Sequence, residues 1–217
     1  LPQREIGGQL PSWDELVATS EWARSRGIPL HMDGARLWEC QPFYGRDYAE
    51  ICALFDSVYV SFYKILGGLA GSALAGPADL IAAVPLWQHR HGGRIARVYP
   101  YIVSAQQGLH ERLERLGAYH EKAVRIAATL GSLPGVEVVP DPPQTNMLHL
   151  YLRGDGDRLL AAATAIAEET GVFLIRSLRD SPLPTYRLFE LTVGDATLDL
   201  PDELIRGLFE QLFERAG

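Results

Sequence analysis

The sequence predicts an α/β protein, with a larger lobe over residues 1–133 built on a mainly parallel sheet and a small α+β lobe over residues 134–217. Three observations lead to this. Helical and strand-like segments alternate through the first half, as parallel βαβ units do. The composition shifts at Pro140-Asp141-Pro142-Pro143, where a boundary between lobes belongs. Beyond it, short apolar strands are interleaved with two longer helical stretches.

Taken in order, Ser12-Trp13-Asp14-Glu15 is a capping box, with Ser12 as N-cap and Glu15 three residues on. The helix it opens runs toward Arg26 and stops at Gly27, a common C′ residue. Residues 28–32 read as a short buried strand ending at Asp33-Gly34-Ala35-Arg36. A helix is expected over 47–54 and a strand over 58–63. The small residues of 67–76 suit a turn and another buried strand. Pro77 opens an apolar helical segment that reaches Trp87. Residues 94–133 are helical in pattern almost throughout, bent near Pro100 and near Gly108. In the second lobe, strands are expected over 136–139, 147–152, 172–176 and 186–193. Helices are expected over 157–169 and 201–215, with Pro201 suited to the first helical position.

The 217 residues carry a formal net charge of −7, which argues against a nucleic-acid or anionic-membrane surface. No apolar run approaches the ~18–20 residues of a membrane span. Cys40 and Cys52 form no C-x-x-C pair, so reduced thiols in a cytoplasmic protein are expected. The chain opens Leu1-Pro2-Gln3-Arg4 rather than with methionine, and an N-terminal portion is expected to be missing. Of its 20 basic side chains only Lys64 and Lys122 are lysine, which makes each informative. Lys122 falls in a charged helical stretch; Lys64 ends an apolar and aromatic run, just ahead of Gly67-Gly68.

Period two places His31 and Asp33 on one face of their strand and Leu30 and Met32 on the other. Asp33 and Lys64 both stand near the carboxyl ends of candidate parallel strands, where such sheets bind ligands. Two readings fit this pair. One is a structural ion pair. The other is a pyridoxal phosphate site, with lysine as the Schiff-base amine and the carboxylate keeping the pyridine nitrogen protonated. His31 either orients Asp33 through a hydrogen bond or is a satisfied core histidine. His89 and His91 stand two apart without a third ligand, so no metal is expected. Gly67-Gly68-Leu69-Ala70-Gly71 fails the dinucleotide spacing, and no phosphate-binding G-x-x-x-x-G-K-[ST] occurs.

The wording of these segments goes further. His31-Met32-Asp33-Gly34-Ala35-Arg36 resembles the H-x-D-G-A-R motif of the threonine aldolase/β-eliminating lyase family of fold-type I pyridoxal-phosphate enzymes. Lys64-Ile65-Leu66-Gly67-Gly68-Leu69-Ala70-Gly71-Ser72 is similar to that family's S-K-G-L-G-A-P-V-G-S segment. Gln144-Thr145-Asn146-Met147 and Tyr186-Arg187-Leu188 are similar to its Q-T-N-[MI] and [IV]-R-[LF] motifs, in the same order.

The resemblance implies the C-terminal part of a fold-type I large domain followed by a small domain. It implies Lys64 as the Schiff-base lysine and Asp33 as the partner of the pyridine nitrogen, with His31 and Ser61 beside the cofactor. Arg94 or Arg97 would reach a phosphate, and Arg36 and Arg187 would fork the substrate carboxylate, a bidentate task suited to guanidinium, with an inter-lobe salt bridge as the other reading of Arg187. The implied activity is cleavage of the Cα–Cβ bond of a β-hydroxy-α-amino acid such as threonine, giving glycine and an aldehyde. A small-molecule amino acid would be the substrate, and a homodimer or homotetramer the assembly, with the active site near the subunit interface. β-Elimination or transamination on the same scaffold, and a non-catalytic domain, are the alternatives. Tyr63 stands where the family usually has serine, and Ile65 and Leu69 replace its glycine and proline. These departures bear on substrate preference more than on the cofactor.

Overall fold

A computed structural model describes all of residues 1–217, which form two compact units. One comprises Leu1–Pro2 and Leu10–Gly117; the other comprises Gln3–Gln9 and Ala118–Gly217. The division therefore falls in the first turn of a long helix, ahead of the 133/134 boundary expected from composition.

In the first unit, helix α1 (Trp13–Ser25) starts at the capping box: Ser12 Oγ accepts from the Glu15 amide, and the Ser12 amide donates to Glu15 Oε2 at 2.8 Å. Strand β1 (His31–Gly34) pairs in parallel with β2 (Ser57–Ser61), His31 opposite Ser57 and Asp33 opposite Tyr59. The short helices α2 (Gln41–Tyr44) and α3 (Tyr48–Cys52) make the crossover that a parallel pair requires. Strand β3 (Ser72–Ala75) then returns antiparallel on β2, joined by a turn instead of a helix. The parallel part of this sheet is thus β1–β2. Leu10, Met32, Leu37, Cys40, Ile51 and Val58 form its core.

The strands are shorter and less covered than their apolar composition suggests. β1 buries Met32 and Gly34 but exposes His31 and Asp33, while β3 is exposed along its length. β2 ends at Ser61 instead of running on to residue 63, because the chain turns there. The Phe62 amide donates to Gly71 O, the Gly68 amide to Phe62 O, and the Gly67 amide to Lys64 O. Gly67 has φ 69°, a left-handed conformation that glycine adopts without strain. Helices α4 (Ala78–Arg90) and α5 (Tyr99–Arg112) follow. Pro100 lies in the first turn of α5, where a missing N–H costs nothing, and Gly108 lies inside the helix. The interruption expected near these residues is instead a 3-10 turn at Leu113–Arg115.

In the second unit, α6 (Leu116–Gly131) buries Tyr119, Ala123, Ile126, Ala127 and Leu130, the spacing of one helical face. Its polar contacts also belong to this unit: the Tyr119 hydroxyl bonds Asp195, and the Lys122 ammonium pairs with Asp202 at 2.5 Å. That is why the helix falls with residues 134–217. Strands β4 (Val136–Val139), β5 (Met147–Arg153), β6 (Arg179–Asp180) and β7 (Tyr186–Thr192) form an antiparallel sheet in the order β4-β5-β7-β6. Helices α7 (Gly156–Thr170) and α9 (Asp202–Ala216) pack together, with α8 (Asp195–Leu198) before α9. The strand expected over 172–176 does not form. Ile175 is buried there as part of the core, and the edge pairing passes to Arg179–Asp180.

Candidate active site

The first unit brings Asp33 and Lys64 to the same end of the β1–β2 pair. Asp33 lies in β1, and its Oδ1 accepts a 3.0 Å hydrogen bond from the Ala35 amide, so the carboxylate is braced by the turn that follows. Lys64 lies three residues past β2, in the turn closed by its own carbonyl and Gly67. Its Nζ stands 5.9 Å from the ring centroid of Tyr63 and is in no ion pair or hydrogen bond. Asp33 and Lys64 do not pair with each other, which removes the structural ion-pair reading. Two oppositely charged groups held apart at a sheet's ligand edge can instead engage a molecule bearing both an electrophilic carbon and a basic nitrogen.

The Lys64 turn is fixed from below. Leu66 is fully buried, and its carbonyl accepts a 2.8 Å bond from Arg112 Nη1. Gly108 lets α5 approach that carbonyl: a Cβ there would lie 2.2 Å from Leu66 O. Gly34 serves the opposite strand in the same way, since a Cβ there would lie 2.5 Å from Tyr59 O. Ser61, 1% exposed, donates a 2.6 Å bond to Ala35 O, and its own carbonyl accepts 2.9 Å from Trp38 Nε1. The hydroxyl expected beside the cofactor therefore ties β2 to the Asp33–Arg36 turn.

His31 is neither of the two things expected of it. It is exposed, and its Nδ1 is 2.8 Å from Ser57 Oγ on the neighbouring strand rather than against Asp33. Arg36 is in the turn after β1, with Nε 4.0 Å from Oε1 of Glu39. Sequence reasoning passed over Glu39, although an acid in the apolar run Leu37-Trp38-Glu39-Cys40 is itself a signal. It is 3% exposed, Oε2 has no hydrogen-bond partner, and burial pushes its carboxyl up to about 7 against the opposing charges of Arg36 and Lys64. Arg94 lies in the exposed loop between α4 and α5 with no partner.

In the second unit, Arg187 stands on β7 with Nη1 donating to Pro184 O and Tyr186 O at 3.0 Å each. Strand alternation puts it on the face opposite Glu190. On the Glu190 side there is a cavity of ≈ 420 Å³ lined by Arg4, Arg176, Ser177, Arg179, Leu188, Phe189 and Glu190. Arg4 Nε meets Glu190 at 2.8 Å, Arg179 Nη2 lies 3.6 Å from Glu190, and Arg176 has no partner. This arginine cluster was not anticipated; Arg4 is distant in sequence from Arg176 and Arg179. Thr145 and Asn146 of the Q-T-N motif are buried and structural. Thr145 Oγ1 accepts from the Met147 amide and sits where a Cβ on Gly8 would be 2.6 Å away, while Asn146 Nδ2 donates to Val193 O at 2.7 Å.

The structure gathers no group of three or more His, Cys, Asp or Glu side chains that could hold a metal ion, and no helix is long and apolar enough to cross a membrane.

This sheet, with an acid and a lysine at its ligand edge and an antiparallel α+β unit after it, is the fold-type I plan of pyridoxal-phosphate enzymes. Residues 3–153 match the beta-eliminating lyase family, and the chain belongs to that family. It is 31% identical to low-specificity L-threonine aldolase 1 of Arabidopsis thaliana over 171 residues, 78% of this chain and 48% of the relative. A Listeria monocytogenes structure provisionally assigned as an L-allo-threonine aldolase is 44% identical, with TM-score 0.90, over 100% of this chain and 59% of that one. An Exiguobacterium structure, provisionally assigned as an aromatic amino acid beta-eliminating lyase/threonine aldolase, is 43% identical, with TM-score 0.92, over 99% and 60%. The chain thus spans about half the length of the plant relative.

Proposed function

We propose that the protein acts as a pyridoxal-phosphate-dependent aldehyde-lyase, cleaving the Cα–Cβ bond of a β-hydroxy-α-amino acid such as threonine to give glycine and an aldehyde. The observation that carries this is the placement of Asp33 and Lys64 at one end of adjacent parallel strands, unpaired with each other. The residues present fit the cofactor. Lys64 offers an amino group in no ion pair or hydrogen bond, on a rigid turn, and Asp33 offers a carboxylate braced by the Ala35 amide. Lys64 would hold the cofactor covalently and Asp33 would keep its ring nitrogen protonated, with His31 and Ser61 beside it and Arg94 toward the phosphate. When bound, pyridoxal phosphate supplies an electron sink for the pair released as the Cα–Cβ bond breaks.

Arg36 would bind and orient the substrate carboxylate from the first unit. Resemblance assigns the second guanidinium to Arg187. A competing choice is Arg179, which lines an open cavity beside Arg176 although its Nη1 bonds Glu5 at 3.1 Å and its Nη2 lies 3.6 Å from Glu190; Arg187 for its part spends Nη1 on two backbone carbonyls. The acidic surface and unpaired thiols are consistent with a cytoplasmic enzyme, and the family resemblance supports a homodimer or homotetramer.

The test uses the full-length protein with added pyridoxal phosphate. A visible absorption band of lysine-bound cofactor is expected, absent from Lys64→Ala, together with acetaldehyde and glycine from L-threonine or L-allo-threonine. A band that survives Lys64→Ala would sink the assignment of Lys64. A band without aldehyde release would move the reaction to β-elimination or transamination.

A further inference from the structure

Glu39 is the only acidic side chain that the fold buries, and its surroundings do little to compensate for it. It closes the 3-10 turn Leu37–Glu39, directly after the Asp33–Arg36 turn. Oε2 is buried without a hydrogen-bond partner, and Oε1 reaches Arg36 Nε only at 4.0 Å, beyond hydrogen-bond range. A buried carboxylate in that state is expensive to keep ionised. Its support comes from nearby cations: Arg36 first, then Lys64 from the turn after β2. The neighbouring Cys40 thiol is pushed up to about 12 by burial and stays neutral, so it supplies no competing charge. The Arg36 guanidinium, for its part, has no other ion pair and no hydrogen bond, so most of its donors remain available to a ligand.

We propose that Glu39 is a protonatable positioning residue: ionised, it holds the Arg36 guanidinium in place, and it takes up one proton from solvent when a ligand carboxylate occupies that guanidinium. This rests on the reading of Arg36 as the substrate-carboxylate site. The physical reason is competition for one cation. A carboxylate bound at Arg36 cancels the charge that offsets the desolvation of Glu39 and adds a like charge nearby. Both effects favour the neutral acid, and linkage makes proton uptake and ligand binding mutually reinforcing. The proton goes from buffer to a Glu39 carboxyl oxygen, and no bond in the ligand changes.

Calorimetry on the full-length holoenzyme can read this. Glycolate, a carboxylate without an amino group, is titrated at pH 8 in two buffers of different ionisation heat. The wild type is expected to take up a large part of one proton per glycolate bound, and Glu39→Gln is expected to bind glycolate without that uptake. Glycolate binding with no uptake by the wild type, or uptake retained in full by Glu39→Gln, overturns the inference. If Glu39→Gln does not fold, the wild type alone decides the matter. Uptake must disappear at pH 5, where Glu39 is already protonated, and uptake equal at pH 5 and pH 8 overturns the proposal. The underlying reading has its own readout: Arg36→Gln should weaken glycolate about tenfold or more, and equal binding there removes Arg36 as the carboxylate site whatever Glu39 does.

Discussion

The Ser61 hydroxyl donates its proton to the carbonyl of Ala35 at 2.6 Å, joining the end of β2 to the turn that carries Asp33 and Arg36. The Ser61 end of this cross-link is buried, so the Ala35 carbonyl it satisfies is partly shielded from water. Ser61→Ala should therefore lose about 1–2 kcal/mol of stability in urea unfolding, the cost of an orphaned, partly shielded acceptor. Because the same bond fixes the spacing of the two strand ends, cofactor affinity of the full-length protein should fall severalfold as well. Unchanged affinity alongside lowered stability would limit Ser61 to a structural role.

Gly108 faces the turn behind Lys64 at a place where no side chain fits. A methyl group there would meet Leu66 O at 2.2 Å and Leu66 C at 3.1 Å, both backbone atoms, and that carbonyl already accepts from Arg112. Gly108→Ala should cost about 1–3 kcal/mol as an overpacked core position. It should also slow covalent attachment of the cofactor, because relief of the clash moves the Lys64 turn. Gly117→Ala, where nothing lies within 4 Å, serves as the control and should be close to neutral or mildly stabilising.

The two candidate arginines of the second unit make opposite kinetic predictions. If Arg179 meets the substrate carboxylate, Arg179→Gln should raise KM about tenfold or more, while Arg187→Gln should act mainly on stability through its bonds to Pro184 O and Tyr186 O. Steady-state kinetics on the full-length enzyme separates the two. A KM effect confined to Arg187 would restore the assignment made by resemblance.

Much of this site could be read in the sequence, for physical reasons that vary by residue. Asp33 and Lys64 were visible because strand period and strand ends are local properties, and the Ser12–Glu15 cap because it is a four-residue device. The real end of β2 was not visible, since an apolar run continues through Phe62 and Tyr63 while the turn is set by pairing with Gly71 and Gly68, residues further on. The 172–176 segment failed similarly: its apolar pattern reports burial, which Ile175 achieves without joining a ladder. The pairing of Arg36 with Glu39 and the cluster of Arg4, Arg176 and Arg179 depend on side chains meeting in space. Sequence spacing hinted at the first and placed Arg176 near Arg179, but gave no signal that Arg4 joins them.

Glu39 also sets a pH dependence of stability. Its folded value, raised to about 7 chiefly by burial, lies above the unfolded value, so the native state binds the extra proton between the two. Stability contributed by the neutral acid is fully present below the unfolded value near pH 4.5 and is lost as pH rises through about 7. Urea unfolding should show a decline of on the order of 3 kcal/mol at most across that window, and Glu39→Gln should flatten it. A decline that persists in Glu39→Gln would point to another group.

The ion pair of the second unit responds with the opposite sign. Lys122 is 3% exposed, donates to Leu200 O and pairs with Asp202 at 2.5 Å, while Arg125 Nε reaches the same carboxylate at 2.9 Å. Burial alone would raise Asp202, but the hydrogen bonds and charges of Lys122 and Arg125 outweigh it and hold the carboxyl below its usual range. Its contribution is therefore present above the unfolded Asp value and lost as pH falls through the lower folded one. The two partners are not equivalent on removal. Asp202→Ala strands a buried ammonium with only a carbonyl for company and should cost about 3 kcal/mol. Lys122→Met replaces the buried charge with an apolar chain of similar length and leaves Asp202 its bond to Arg125, so its loss should be clearly smaller. Equal losses in denaturant unfolding at pH 7, or an acid-side slope unchanged in Asp202→Ala, would show that the Lys122–Asp202 pair does not govern the stability of this helix.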